Sequence, residues 1–183
     1  MSSAPGYIEP VVGWRTWLVV QQAGCFRLRS VVYDALWPPR KELFARCLGR
    51  SPVLLFPWRR RSEHDPPAPY CGCGIYATRE PEDAARYLDV RSSAEAPSVL
   101  RVIGTVSLWG QVVECTDGWR AAYAYPKTIH VPTLRDARRA QTEQAQEIAL
   151  ALTDYGVPVD LLDADAHLPA DVVAGLGLAA AHS

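Results

Sequence analysis

Four side chains between positions 47 and 73 are of types that take a metal ion: Cys47, His64, Cys71 and Cys73. Thiolate sulfur and imidazole nitrogen are the donors of structural zinc sites, which want four of them in a tetrahedron. Three of the four lie in "HDPPAPYCGC", where Gly72 allows the backbone to turn tightly between two neighbouring thiols. Cys47 precedes the stretch 50–70, which holds five prolines and shows no hydrophobic period. A loop of that length inside a compact domain needs something to hold it, and a Cys-His-Cys-Cys zinc site would. Four protein ligands would leave no open position for a substrate water, so the site reads as structural. Two other readings stay open. Cys47 can be a core thiol with Cys71 and Cys73 flanking a strand, or three of the residues can hold a metal with one position free.

The remaining thiols, Cys25 and Cys115, fall in strand-like contexts and read as buried small hydrophobes. Five cysteines are an odd count, and Met1–Pro10 has neither a basic nor an apolar leader region, so a disulfide framework is not expected. The chain reads as cytoplasmic, with no run of eighteen apolar residues to cross a membrane.

Positive charge gathers between Arg40 and Arg61, with Arg59, Arg60 and Arg61 consecutive. That cluster could attract phosphate, or be a solvated loop that happens to hold three arginines. "GWR" occurs at 13–15 and again at 118–120, setting Arg15 and Arg120 beside tryptophans. Such a pair can stack on bases. The structural alternative is a Trp packed inward with its Arg pointing out. Overall the chain carries a net charge of −1: residues 1–131 hold 16 Lys/Arg against 12 Asp/Glu, and residues 132–183 hold 3 against 8. A dedicated nucleic-acid binder would show a clear basic excess.

Catalytic signatures are missing. No Gly-rich run leads to Lys-Ser/Thr, "GCG" has no strand before it, and no serine sits in a nucleophile elbow. No catalytic residue is assigned, and enzymatic activity is not the expectation.

The elements that must position these residues follow from pattern. "VVGWRTWLVV" (11–20) is a strand, paired across Gly24 with Phe26–Val32. "KELFARCLG" (41–49) predicts a short helix. "GIYAT" (74–78) is a strand, and "REPEDAARYL" a helix with Pro81 in its first turn. A long strand through residue 115, bent at Gly104 or Gly110, meets its hairpin partner over "TDG". Residues 134–155 form the one long helix, stopped by Gly156 and Pro158, after which "VPVDLL" returns to the sheet edge. The fold class predicted is α+β: a mostly antiparallel twisted sheet, one long C-terminal helix, two short helices and a zinc-stapled loop at about 47–73. One domain spans 1–162, and 163–183 is an Ala/Gly-rich tail.

Two resemblances go beyond these patterns. "CGCGIYA" combined with "GTVSLWGQVVE", "GWRAAYAYP" and "YGVPV" resembles a widespread family of small uncharacterised bacterial proteins, notably actinobacterial, over residues 13–17, 71–77, 104–114, 118–126 and 155–159. That resemblance implies no activity. Similar sequences often carry a glutamate at the place of Ala122. Separately, "GCGIYATREPEDAARYL" followed by "LRVIGTVSLWGQVVE" is similar in layout to the NAD-binding half of ADP-ribosyltransferases of the poly(ADP-ribose) polymerase type. This second resemblance implies that Tyr76 stacks on a nicotinamide ring. It also puts Ala122 where the catalytic glutamate would stand, so the activity it implies is degenerate.

Two function classes result. One is a small zinc-stabilised binding or adaptor module that meets a protein or nucleic acid, with Arg15, Arg59, Arg60, Arg61 and Arg120 as contact residues. The other is an ADP-ribosyltransferase-like NAD-binding protein using Tyr76.

Overall fold

The computed structural model describes residues 9–47, 64–88, 100–133 and 139–168. Its strands are β1 (Val11–Gln22), β2 (Cys25–Ser30), β3 (Leu43–Phe44), β4 (Ile75–Thr78), β5 (Arg101–Cys115), β6 (Gly118–Thr133) and β7 (Val159–Asp163). Its helices are α1 (Pro81–Ala85), α2 (Arg139–Leu152) and α3 (Ala164–His167); 3-10 turns extend α1 through Leu88 and α2 through Tyr155.

These elements overturn the α+β expectation. Strands take 48% of the described chain against 23% for helix, and all seven strands join one mixed sheet. The mixture comes from β7, which runs parallel to β6 from Ile129↔Val159 to Thr133↔Asp163. The helix expected at 41–49 does not form in the described part. Leu43 and Phe44 instead pair with Ala124 and Tyr123 of β6. Its few residues are too short a run for a stable isolated helix, whereas β6 offers an edge of unpaired backbone groups.

The β5–β6 hairpin is the spine. Its register slips between Thr105/Val106 and between Trp109/Val112, close to both expected bend points, and Gly110 takes the left-handed conformation at φ 76°. β6 pairs with β5 along one edge. Along the other it receives β4 at 118–121, β3 at 123–124 and β7 at 129–133. β1 pairs with β5 from Val11↔Leu108 to Leu18↔Arg101, and Trp14 also meets Thr78 of β4. The pairings β1–β5–β6–β4–β1 therefore form a closed circuit. Gly13 makes that closure possible, because a Cβ there would lie 2.8 Å from the Ala77 Cβ.

Burial divides on the two faces of β1. Trp17, Leu28, Trp37, Ile129, Ile148 and Leu152 fill the main core under α2, with Trp17 and Trp37 edge to face at 5.6 Å. Ala84, Ala85, Leu88, Ile103 and Ala164 form a second, smaller cluster. Of the apolar positions on α2, Ile148 and Leu152 are buried while Leu150 is exposed. Gly156 ends the helical stretch in the left-handed conformation at φ 68°, as its position after Tyr155 predicts. The ordered chain runs past the expected tail boundary: Asp163 closes β7 and accepts a hydrogen bond from the Asp165 N–H, and Ala164 is fully buried. Among the described residues no helix is long and apolar enough to cross a membrane.

Candidate metal centre

The order of strands on the edge of β6 explains how Cys47 reaches Cys73. β3 runs along β6 from Ala124 to Tyr123, and the Ala45 N–H continues to the Ala122 carbonyl at 2.7 Å. β4 begins at the next position, Ile75↔Ala121. The exit of β3 and the entry of β4 thus meet at Ala121–Ala122. Cys47 lies just beyond the one and Cys73 just before the other.

The loop 64–73 folds back over this junction and adds His64 and Cys71. One donor atom from each of Cys47, His64, Cys71 and Cys73 lies within 4.8 Å of every other, and all four residues are partly buried. Cys47 Sγ and Cys71 Sγ stand 3.7 Å apart, and His64 Nε2 lies 3.3 Å from Cys73 Sγ. A tetrahedral ion with sulfur ligands at about 2.3 Å gives sulfur–sulfur edges of about 3.8 Å. The Cys3His cluster could therefore hold a metal ion.

Main-chain groups orient the sulfurs. The Ala68 N–H points at Cys73 Sγ at 3.4 Å. The Cys73 N–H, followed by the neighbouring thiols, holds the Cys71 thiol below its ordinary range, while burial pushes Cys73 up. The thiolate is the form that binds metal.

Arg120 supports the loop from beneath. Its guanidinium donates to the carbonyls of Cys71, of Cys73 (3.0 Å) and of Pro69 (3.3 Å). Sequence reasoning missed this role, since it set Arg120 toward a partner. No local signal in the sequence marks it, because its place opposite Tyr76 comes from the non-local pairing of β4 with β6. The glycine under constraint was also misread. Gly72 has room, with the nearest approach of an added Cβ 3.6 Å from the Tyr76 hydroxyl. Gly74 sits at φ 129°, where a Cβ would come within 3.0 Å of Arg120 Cβ and 3.1 Å of Pro67 Cβ.

The other expected residues fall as follows. Arg15 is turned inward: its guanidinium donates to the Tyr76 carbonyl and to Ser30 Oγ (3.1 Å) and lies 5.2 Å from the Trp37 ring centre. In both Gly-Trp-Arg segments, then, the arginine donates to main-chain carbonyls of the protein itself and the tryptophan is half-buried; Arg120 is buried and Arg15 half-buried. Arg59, Arg60 and Arg61 lie outside the described residues. Asp65 is exposed, as a loop carboxylate would be. Cys115 is half-buried, but Cys25 is exposed at the β1–β2 turn rather than buried. Tyr76 is 41% exposed and donates its hydroxyl to the Gly72 carbonyl at 2.7 Å. Ala122 lies at the β3–β4 junction, where its carbonyl accepts from Ala45.

One surface beside the centre was not legible in the sequence. Phe44 and Tyr123 face each other across strands β3 and β6, 48% and 41% exposed. Trp109 stacks on Tyr123 at 6.1 Å and 14°, and the Arg46 guanidinium covers Phe44 at 4.8 Å. No protein-family model, curated protein or solved structure matches the chain.

Proposed function

We propose that Cys47, His64, Cys71 and Cys73 bind one zinc ion as a structural staple, and that the protein is a binding module for a protein or nucleic-acid partner. The mutual approach of the four donor atoms within 4.8 Å carries the metal reading. Three thiolates and one imidazole match the donor preference of zinc, and four ligands complete its tetrahedron without an open catalytic position. Three thiolates around a divalent ion leave one net negative charge, which Arg120 offsets from beneath. The ion would tie the chain leaving β3 to the chain entering β4.

The module reading is supported by the aromatic row Phe44, Tyr123 and Trp109 running across β3, β6 and β5, with Arg46 alongside. Exposed aromatics beside a cation suit nucleobase faces or apolar anchors of a protein. The test begins with metal content. Untagged protein is expected to hold one zinc per chain, and Cys73→Ser to lose both the zinc and part of its thermal stability. Folded protein free of metal would end the zinc reading. A fluorescent single-stranded oligonucleotide then separates the partner classes. Salt-sensitive binding that is weakened by Tyr123→Ala supports nucleic acid, and its absence leaves the protein partner.

A further inference from the structure

A second site adjoins the metal centre along β4, sharing Gly74 and Tyr76 with its surroundings but none of the four candidate ligands. Among the described residues, a cavity of about 840 Å³ opens between β1, β4, the α1 segment and the β5–β6 turn. That volume falls in the range of small-molecule pockets and is too small for a folded partner.

Its floor holds Arg15. The guanidinium has two side-chain or main-chain acceptors, the Tyr76 carbonyl and Ser30 Oγ, while its Nε is buried with no hydrogen-bond partner. No carboxylate among the described residues pairs with it, and burial pulls its pKa down to about 10. Arg15 as a whole is half-buried, yet a cation drawn partly out of water without a counter-charge is still unfavourable, and an apolar residue stacked on Trp37 would fill the same space more cheaply. The two carboxylates on the lining do not supply the charge. Asp83 is ion-paired with Arg86 at 3.3 Å, and Asp117 is exposed at the β5–β6 turn. Aromatic rings share the lining: Trp14, Trp119, which the Arg79 guanidinium already covers at 4.6 Å, and Tyr33 and Tyr87, each 49% exposed and open to a stacking partner.

We propose that this cavity binds a small aromatic anion, a flat ring bearing a carboxylate or phosphate, with Arg15 as the partner of the anionic group. The guanidinium offers unfilled N–H capacity for oxygen acceptors, and the rings offer faces for stacking. This site is independent of the zinc reading.

Benzoate and phenyl phosphate serve as probes, with inorganic phosphate and phenol as controls, on metal-loaded protein. Binding is read by quenching of tryptophan fluorescence. A second readout is protection of Cys115, which also lines the cavity, from maleimide alkylation mapped by mass spectrometry. At least one aromatic anion is expected to bind about tenfold or more tighter than either control, a difference of about 1.4 kcal/mol or more. Arg15→Lys keeps a charge but loses the planar fork and is expected to lose most of that preference, with zinc content unchanged. Should Arg15→Lys fail to fold, Tyr87→Ala decides, because Tyr87 is half exposed and its removal takes a wall from the cavity. Weakened binding in Tyr87→Ala supports the site. Unchanged binding, no binding of either aromatic anion, or equal binding of inorganic phosphate overturns it.

Discussion

The guanidinium of Arg120 donates to the main-chain carbonyl of Cys73 at 3.0 Å, which joins the central strand β6 directly to the loop that carries three of the four candidate metal ligands. The same side chain reaches the carbonyls of Cys71 and Pro69, so one residue of the sheet fixes three points of a loop that has little secondary structure of its own. Arg120→Ala should weaken metal binding by about 10–100-fold, the usual effect of removing a group that orients ligands. Competition against a chromogenic chelator measures it, with circular dichroism confirming the sheet. Arg120→Lys should recover little, since its donors sit on one compact nitrogen and cannot span the positions that the two terminal guanidinium nitrogens reach.

The two glycines flanking Cys73 should behave oppositely. Gly74→Ala forces a side chain into left-handed backbone against Arg120 and Pro67, and should destabilise by about 1–3 kcal/mol. Gly72→Ala meets only ordinary contact and should shift stability by less than about 1 kcal/mol. Denaturant midpoints of the metal-loaded proteins separate the two.

Tyr155 is a buried bridge between elements far apart in sequence. Its hydroxyl donates to the Trp37 carbonyl at 2.7 Å and accepts from the Leu28 N–H at 2.9 Å. Tyr155→Phe leaves both main-chain groups unpaired and should cost about 1–3 kcal/mol. Burial pushes its phenol up to about 12. With the folded pKa above the unfolded value of about 10, stability from this group is complete below pH 10 and is lost as pH rises toward 12. That alkaline loss should be smaller in Tyr155→Phe.

His130 gives the acid counterpart. It packs beside Trp14 with ring centres 6.4 Å apart, and burial lowers its pKa against the weaker pull of Asp160 at 4.0 Å. The unfolded chain then binds the proton first, so stability falls as pH drops below about 6.5 toward the lower folded value. His130→Gln should flatten this part of the pH profile, and thermal melts of the two proteins between pH 7 and 5 read the difference. Loss of any bound metal at low pH would affect both proteins alike and cancel in the comparison.

The four residues of the Cys3His cluster were legible in the sequence as candidate metal ligands, because cysteine and histidine in a proline-rich loop have few other ways to order it. So were the β1–β2 and β5–β6 hairpins, whose turns at Gly24 and Gly118 are dictated locally, and the helix stop at Gly156. What only the tertiary structure decided was which backbone edges meet. Leu43–Phe44 is a strand because β6 has a free edge there, and the sheet is mixed because β7 docks parallel to that same strand. The inward turn of Arg15 and Arg120 has the same origin. Whether an arginine on a strand faces solvent or carbonyls depends on what packs over that face, and no local pattern of residues records it.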